Sequence, residues 1–197
     1  REDGPAVIYS DGTKEWWING KLHRENGPAI ITKDGAEKYY ENGQLHKMIF
    51  PDGSHYFYSK DDRGNNYLQI TERDNTKRWY RNELLHRDSG PALILPDKSE
   101  YYYQDGELHR ETNRPAVILA NGSQFWYSHG KLTNQAIPGH INQSTDNNQS
   151  ASRSESEFQR RTKDVRRKQE GIMKQRHELI VQEDAAREDF YRKRGFR

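Results

Sequence analysis

The sequence of 197 residues contains no cysteine, and this absence excludes disulfide bonds, thiolate metal sites and thiol catalysis. Hydrophobic residues make up only 31% of the chain and the mean hydropathy is -1.28, values that argue against a large conventional core. No apolar run exceeds about five residues, so we expect no membrane-spanning segment. These absences identify no compartment, although we favour the cytoplasm.

Sequence signatures of catalysis and of cofactor binding are also missing. The chain has no Walker loop, nucleophile elbow, His-Glu-x-x-His motif or dinucleotide-binding fingerprint. Its carboxylates are spread evenly over the predicted turns, where solvated Asp and Glu are ordinary. We therefore expect a protein that is not an enzyme and that has no cofactor, no metal site and no catalytic residue.

The chain does contain a motif of about 23 residues that recurs six times over its first two-thirds. Each copy is built around two adjacent aromatic residues, and the 12 Tyr, 4 Trp and 6 Phe supply apolar area for a thin aromatic core. Repeats of this length stack their units to share a core. The six aromatic pairs are Trp16-Trp17, Tyr39-Tyr40, Phe57-Tyr58, Trp79-Tyr80, Tyr102-Tyr103 and Trp126-Tyr127.

Each copy carries two reversals, marked by Asp-Gly or Asn-Gly steps that favour tight hairpin turns with positive φ, so we predict two strands per copy. Asp74-Asn75, Asn82-Glu83 and Asp97-Lys98 replace such steps in later copies. Because Glu and Lys tolerate positive φ poorly, we expect those turns to be looser or of another type. Proline begins the first strand where a missing N–H costs least. The prolines are Pro5, Pro28, Pro91 and Pro115.

The third and fourth copies depart from the pattern. The Arg-x-x-Gly-Pro element is absent between Tyr40 and Gly53, where only 13 residues separate positions that lie 18 apart in the preceding copy. We predict a bend or an irregularity at about residues 47 to 75.

This pattern resembles the MORN repeat family, in the variant that carries a Leu-His-Arg-x-x-Gly-Pro-Ala segment. The resemblance covers residues 1–133 and is carried by Asn-Gly-Lys-Leu-His-Arg at 19–24 with Gly-Pro-Ala at 27–29, and by Asp-Gly-Glu-Leu-His-Arg at 105–110 with Pro-Ala at 115–116. It implies an all-β array, an elongated and twisted antiparallel sheet of about six β-hairpins that serves as a protein-binding or scaffolding surface. It also implies a bacterial, phage or large-virus origin.

Adjacent aromatic residues in a strand point to opposite faces of the sheet, so the six pairs form two rows. In one interpretation both rows are packing, covered by aliphatic residues of the first strands such as Val7 and Ile30. In the other, the second row is an exposed groove that binds a partner, because tyrosine joins a rigid apolar ring to a hydroxyl. The candidate groove residues are Trp17, Tyr40, Tyr58, Tyr80, Tyr101, Tyr103, Phe125 and Tyr127.

Histidine recurs one residue before a basic side chain in four copies. Equivalent residues of neighbouring copies lie roughly 9 to 10 Å apart, too far to converge on one metal ion. We expect the histidines to close turns by hydrogen bonds and the basic residues to pair with acids of adjacent copies, as Arg24 with Glu2 or Asp3. The four pairs are His23-Arg24, His46-Lys47, His86-Arg87 and His109-Arg110.

After the repeats, residues 134–156 are rich in Asn, Gln, Ser and Thr, which is typical of a polar linker. Residues 157–197 lack proline and predict a long C-terminal α-helix interrupted only by Gly171. Apolar residues at intervals of seven predict a weak coiled coil, and docking of residues 172–191 on the sheet or on a partner is the favoured interpretation. The heptad residues are Phe158, Val165, Ile172, Leu179 and Ala186.

The net charge of +2 is distributed unevenly. Residues 153–197 contain 14 Lys and Arg against 9 Asp and Glu, whereas the rest of the chain contains 18 against 21. A basic cluster in this segment suits an acidic partner or nucleic acid by charge, and a solvated helix face is the plainer alternative. The cluster is Arg160, Arg161, Lys163, Arg166, Arg167 and Lys168.

We therefore predict a non-enzymatic interaction or scaffold protein that binds a protein partner through the aromatic face of its repeats, with the basic helix as a second contact. The alternative is a nucleic-acid-associated or virion-bound component that docks through that helix. Free sheet edges leave monomer and homodimer both open. Because the chain begins at Arg1 in the middle of the motif, we expect a preceding segment.

Overall fold

The computed structural model of the protein describes residues 4–138 and Gly171. Contacts divide the chain into two compact units, Arg1–His140 and Ile141–Arg197. The first unit contains the six copies of the motif. The predicted C-terminal helix, its heptad residues and most of the predicted linker lie outside the described residues.

Residues 4–138 form eighteen β-strands in chain order and contain no helix. The strands are β1 Val7–Ile8, β2 Lys14–Glu15, β3 Trp17–Ile18, β4 Lys21–Leu22, β5 Ile30–Ile31, β6 Glu37–Glu41, β7 Gln44–Ile49, β8 His55–Lys60, β9 Asn66–Thr71, β10 Lys77–Arg81, β11 Leu84–Leu85, β12 Leu93–Ile94, β13 Glu100–Tyr101, β14 Tyr103–Gln104, β15 Glu107–Leu108, β16 Val117–Ile118, β17 Gln124–Ser128 and β18 Lys131–Ala136.

These strands build one long antiparallel sheet of successive hairpins. Its order is β1-β2-β5-β6-β7-β8-β9-β10-β12-β13-β16-β17-β18, and β11 adds to β10. The pairs β3-β4 and β14-β15 continue hairpins of the first and fifth copies as separate two-stranded sheets. The predicted architecture of β-hairpins in one antiparallel sheet is confirmed.

Two kinds of turn connect the strands. In the first kind, the N–H of Tyr9 donates to the carbonyl of Thr13 at 2.9 Å, and Gly12 has a φ of 93°. In the second kind, both central residues have positive φ, 50° for Asn42 and 86° for Gly43. The steps Asn19-Gly20, Asn42-Gly43 and Asp105-Gly106 thus form the predicted two-residue turns, whereas the other Asp-Gly steps and Asn121-Gly122 belong to a longer hairpin loop that ends in a glycine bulge.

Three turns keep this geometry without glycine, and in the first of them Asn75 has a φ of 68° in a loop closed by a bond between Glu72 and Thr76. Asn82 and Glu83 have φ values of 47° and 69°, and Lys98 has a φ of 72° in a loop closed, as in the first copy, by a bond between Leu95 and Ser99. The expectation of looser or different turns is therefore wrong here, because pairing of the flanking strands imposes the turn. Left-handed backbone costs a residue other than glycine about 1 kcal/mol.

The strands in the middle of the array are longer than most of the others. β7, β8 and β9 contain six residues each, and their pairing has no register shift. Pairing here is therefore regular, against the predicted irregularity at residues 47–75, and the predicted bend stays a prediction. The missing Arg-x-x-Gly-Pro element would interrupt the strands, so its loss lets β8 and β9 pair over all six of their residues.

One row of side chains crosses the whole sheet on a single face, which we call the inner ladder. Residues in register across antiparallel strands share a face, and every ladder residue from the second to the twelfth is buried. The ladder is Val7, Glu15, Ile30, Lys38, Met48, Tyr56, Ile70, Arg78, Leu93, Tyr101, Val117, Phe125 and Gln135.

Three charged residues belong to this core, which the sequence analysis did not anticipate. Glu15 is fully buried and accepts a hydrogen bond from the indole N–H of Trp17 at 2.9 Å. Arg78 is 7% exposed and pairs with Glu72 at 2.5 Å. Lys38 is 4% exposed. Buried charge is stable only when it is paired or hydrogen-bonded, so these residues tie particular partners into the core.

Candidate protein-binding face

The second aromatic of each pair lies on the same inner face as the ladder, two residues further along its strand. Six of the eight candidate groove residues are buried, with exposed fractions from 3% to 9%. They are Tyr40, Tyr80, Tyr101, Tyr103, Phe125 and Tyr127. Trp17 and Tyr58 are half-buried. The expected open groove is therefore wrong for the six buried rings, which are core; binding of a protein partner stays a prediction.

Each second-position aromatic lies directly opposite a leucine on the neighbouring strand. This contact makes the leucine of the Leu-His segment a core residue, and Leu22 and Leu85 are buried accordingly. Recurrence of leucine at this position is a sequence signal that can predict its burial. The pairs are Trp17 with Leu22, Tyr40 with Leu45, Tyr58 with Leu68, Tyr80 with Leu85, Tyr103 with Leu108 and Tyr127 with Leu132.

A β-bulge at the histidine directs the two ends of the Leu-His-basic segment to opposite faces. In the second copy Tyr40 pairs with Leu45 and Tyr39 pairs with Lys47, so His46 is the additional residue. Without it, residues two apart in a strand would share a face. In three other copies the histidine N–H donates to the carbonyl of the first aromatic: His23 to Trp16, His86 to Trp79 and His109 to Tyr102.

The bulge places the basic side chain over the first aromatic ring, on the face that we call outer. A cation within about 6 Å of a ring centroid is attracted to the ring face. The contacts are Arg24 over Trp16 at 4.0 Å, Lys47 over Tyr39 at 4.6 Å, Arg87 over Trp79 at 3.8 Å and Arg110 over Tyr102 at 3.7 Å. Within the described residues these four cations contact aromatic rings, so the expected pairing with acids is wrong for that part of the chain. Glu2 and Asp3 lie outside the described residues.

Glycine of the Arg-x-x-Gly-Pro element makes room for this arginine. Gly27 has a φ of +138°, and a Cβ atom on it would lie 3.2 Å from Nη1 of Arg24. The same Nη1 donates to the carbonyl of Pro28 at 3.4 Å. Pro28 is the residue at which the chain returns to the sheet. Gly90 repeats this geometry with Arg87. We call residues 24–29, 87–92 and 110–116 the arginine flaps.

Glutamates hold two of the outer rings in place. The hydroxyl of Tyr39 donates to Glu37 at 2.7 Å, and that of Tyr102 donates to Glu100 at 2.9 Å. Burial, and then the bond to the glutamate, raises the pKa of both tyrosines above the ordinary value. Both hydroxyls therefore stay protonated donors at neutral pH.

Phe57 is the most exposed of the outer aromatic rings. Its side chain is 40% exposed, and no arginine flap of the described residues lies over it. Lys47 and Gln69 are its register partners on either side. The Lys47 ammonium lies 5.6 Å from its ring centroid, and the His55 ring meets it edge-on at 5.5 Å. The centre of the outer face is therefore an open aromatic site beside a cation.

Isoleucines form a second row on the outer face, alternating with polar residues across the sheet. Most are half-buried, and Ile8 on the first strand is 65% exposed. The apolar members are Ile8, Ile31, Ile49, Ile94 and Ile118, with Thr71 in the equivalent place of the middle copies. The outer face thus combines apolar area with alternating charge, as protein interfaces do.

The recurring histidines make hydrogen bonds at turns, as predicted, but at turns of the following copy. Their Nδ1 atoms accept a backbone N–H of the next two-residue turn in three copies. The bonds join His23 to Asn42 at 3.2 Å, His86 to Asp105 at 3.0 Å and His109 to His129 at 3.3 Å.

Several features bear on other kinds of site. The basic cluster at residues 160–168 lies outside the described residues. Within residues 4–138 there is no group of three or more His, Asp or Glu side chains that is suited to a metal ion. No helix in the described part of the chain has the length and apolar character needed to cross a membrane. No protein-family model matches the sequence, and a search of curated proteins finds no match.

Proposed function

We propose that this protein is a non-enzymatic interaction protein whose hairpin array binds a protein partner through the outer face of its middle copies. The observation that carries the proposal is the exposure of Phe57 at 40%, at the centre of a face whose other aromatic rings are more deeply buried. Exposed aromatic side chains in a rigid setting are the commonest anchors of protein interfaces. Phe57 is the anchor in this proposal.

The surroundings of Phe57 suit a protein contact. Lys47 bridges the rings of Tyr39 and Phe57, so its charge is held at one side of the open ring. Lys77 is exposed on the same face, two strands beyond His55. A partner that covers Phe57 with an apolar side chain and offers a carboxylate to these lysines would match both properties.

The part of the outer face around Phe57, from Tyr39 to Trp79, has a definite width, and we call it the open floor. From Tyr39 to Trp79 it crosses four interstrand spacings, about 19 Å in all. An α-helix with its side chains is about 10–12 Å wide, so one helix or a pair of strands fits between the rings of Tyr39 and Trp79. A stable interface buries about 800 Å² per partner, more than this floor offers alone. The partner must therefore extend along the isoleucine row.

The basic C-terminal segment is the second contact in this proposal. Its excess of 14 cations over 9 acids contrasts with the 18 against 21 in the rest of the chain. Such a segment speeds association with an acidic surface and makes it depend on salt. Nucleic acid bound through Arg160, Arg161 and Lys163 is the rival function, and the two proposals differ in which residues carry the affinity.

Affinity capture followed by a dissociation constant for the isolated partner tests the proposal. Full-length protein with Phe57→Ala should bind the captured protein at least tenfold more weakly, while Leu84→Ala, which removes another exposed outer-face side chain, should bind as wild type. Equal binding by both variants would refute the site. A variant with residues 160, 161 and 163 changed to Gln should lose only the salt-dependent part of the affinity for the partner. Loss of all binding in that variant, with nucleic acid as the captured molecule, would favour the rival.

A further inference from the structure

Histidine Nδ1 atoms link successive copies of the array at one edge of the sheet. The N–H of Asn42 donates to His23 and the N–H of Gly43 donates to the carbonyl of Leu22 at 3.0 Å, so two neighbouring bonds hold one turn to the preceding copy. The same pair of bonds recurs at Asp105-Gly106 and at His129-Gly130. We call each of these three contacts a histidine joint.

The joint between the third and fourth copies has no histidine. There the N–H of Asn82 donates to the carbonyl of Asn66 at 2.8 Å, and the N–H of Asn66 donates to Oδ1 of Asn82 at 2.9 Å. Amide side chains do not titrate between pH 5 and 8, whereas histidine does. Among the described residues the array therefore contains three titratable joints and one joint whose side-chain acceptor is an amide on the turn itself and is indifferent to pH.

We propose that the histidine joints are acid-sensitive, so that protonation of His23 and His109 releases the following turn while the sheet stays folded. A ring nitrogen can accept the turn N–H only while it is unprotonated, which requires the neutral tautomer with the proton on Nε2. Protonation puts a hydrogen on Nδ1 and sets two donors against each other. The inner ladder contains no histidine, so no ladder residue changes its charge, although His109 itself is buried.

The charged groups around each joint set its response. His86 faces Asp88, 2.9 Å from Nε2, and Asp105, 3.2 Å from Nδ1, and Arg81 binds Asp105 at 2.8 Å. When His86 gains a proton, its Nδ1–H can therefore donate to the Asp105 carboxylate. This joint exchanges one partner for another and should stay closed in acid.

His109 and His23 lack this compensation. Nε2 of His109 is 3.4 Å from Glu111, but its ring stacks on the ring of His129 at 4.3 Å, and His129 lies 3.6 Å from Glu107. Two charged rings at that separation repel each other. For His23 no ion pair is recorded among the described residues, and its neighbour Arg24 is itself a cation. Acid should therefore open the first joint and the last, and spare the one between them.

Amide hydrogen exchange and NMR titration of the full-length protein from pH 7.5 to 5.0 test the inference. After correction for intrinsic exchange, protection of the Asn42 and His129 amides should fall about tenfold, the loss of one hydrogen bond, and that of Gly43 and Gly130 should fall with them as the turns open. Protection of the Gly106 amide, in the joint that stays closed, and of the Asn82 control should change less than twofold. Unchanged protection of Asn42 at pH 5.0 would overturn the proposal.

The variant His23→Asn provides a matched second arm. Its side-chain oxygen can take the place of Nδ1 as an acceptor that does not titrate, as Asn82 does in the middle joint. Protection of the Asn42 amide in this variant should be close to wild type at pH 7.5 and should no longer fall toward pH 5.0. A variant that keeps the wild-type pH dependence would show that another group controls the joint. If the variant does not fold, the wild-type titration decides alone.

Discussion

The flanking copies and the middle copies of the array treat the same aromatic position in opposite ways. In the first and fifth copies, among others, an arginine flap of about six residues covers the outer ring, and the strands there are two residues long. In the third copy the flap is absent, the strands are six residues long and Phe57 is 40% exposed. In the third copy, loss of the flap thus accompanies longer strands and a more exposed ring.

The loss of the flap element in the third copy has two consequences. Removing the flap element strengthens backbone pairing, because β8 and β9 pair over six consecutive residues. It also uncovers an apolar ring, which costs free energy unless something else covers it. The third copy therefore combines continuous strand pairing with an exposed aromatic ring. This is why we propose that the partner binds there.

The largest expected effect on stability comes from truncating a core side chain of the middle copies. Ile70 is 2% exposed on the inner ladder, so Ile70→Ala should lower the free energy of unfolding by about 2–5 kcal/mol. Phe57→Ala, on the outer face of the neighbouring strand, should lower it by less than about 1 kcal/mol. Urea denaturation measures both. Equal losses would mean that the two faces of the middle copies are equally buried.

Much of this architecture could be predicted from the sequence, because it depends on local signals. Hairpin steps such as Asn42-Gly43 specify the turns, and the paired aromatics specify that each strand has two different faces. The choice of inner face could not be predicted, since it depends on the bulge at His46, which a period of two does not reveal. Tyrosine rows look suited to a surface, yet Tyr40 is opposite Leu45 and 3% exposed.

The consequence of the irregular spacing was also beyond sequence reasoning. A deletion of five residues looks like a defect when only the period is considered. It becomes a gain in pairing once it is clear that the deleted element is a flap and not part of a strand. The charged core residues Glu15, Lys38 and Arg78 were missed for a related reason, since their burial depends on partners contributed by other side chains.

A glycine substitution sharpens the comparison from the flanking side. Gly27→Ala forces a side chain into a φ of +138° and places its Cβ 3.2 Å from Arg24, so it should lower the free energy of unfolding by about 1–3 kcal/mol. Gly90→Ala should behave alike. Gly4→Ala, where a Cβ meets nothing within 4 Å, is the matched control and should have little effect. Denaturation midpoints decide, and a neutral Gly27→Ala would mean that the flap is not held against the ring.

Removing the cation itself has a smaller expected effect. Arg87→Ala loses the contact with the Trp79 ring at 3.8 Å and should cost about 0.5–2 kcal/mol. Lys47→Ala should cost less, because its ammonium lies 4.6 Å and 5.6 Å from two rings and is closer to solvent. Thermal unfolding of the two variants beside Arg63→Ala, an exposed loop residue, gives the ranking. A larger loss of stability for Lys47→Ala than for Arg87→Ala would show that the cation contributes more in the middle of the array than in a copy with an arginine flap.

The smallest expected effect comes from a turn and has the opposite sign. Lys98 occupies a left-handed backbone with φ of 72°, whereas the same place in the second copy is Gly35 with φ of 86°. Lys98→Gly should therefore raise the free energy of unfolding by about 0.5–1 kcal/mol, after the greater chain entropy of glycine in the unfolded state is subtracted. Gly35→Ala should lower it by a similar amount, because a Cβ there would make only an ordinary contact of 3.8 Å with Pro51 and the cost is the backbone alone. Opposite signs of similar size in urea denaturation would show that the loops of flanking copies share one backbone whatever residue they carry; a destabilising Lys98→Gly would show that the lysine side chain contributes contacts of its own to the fifth copy.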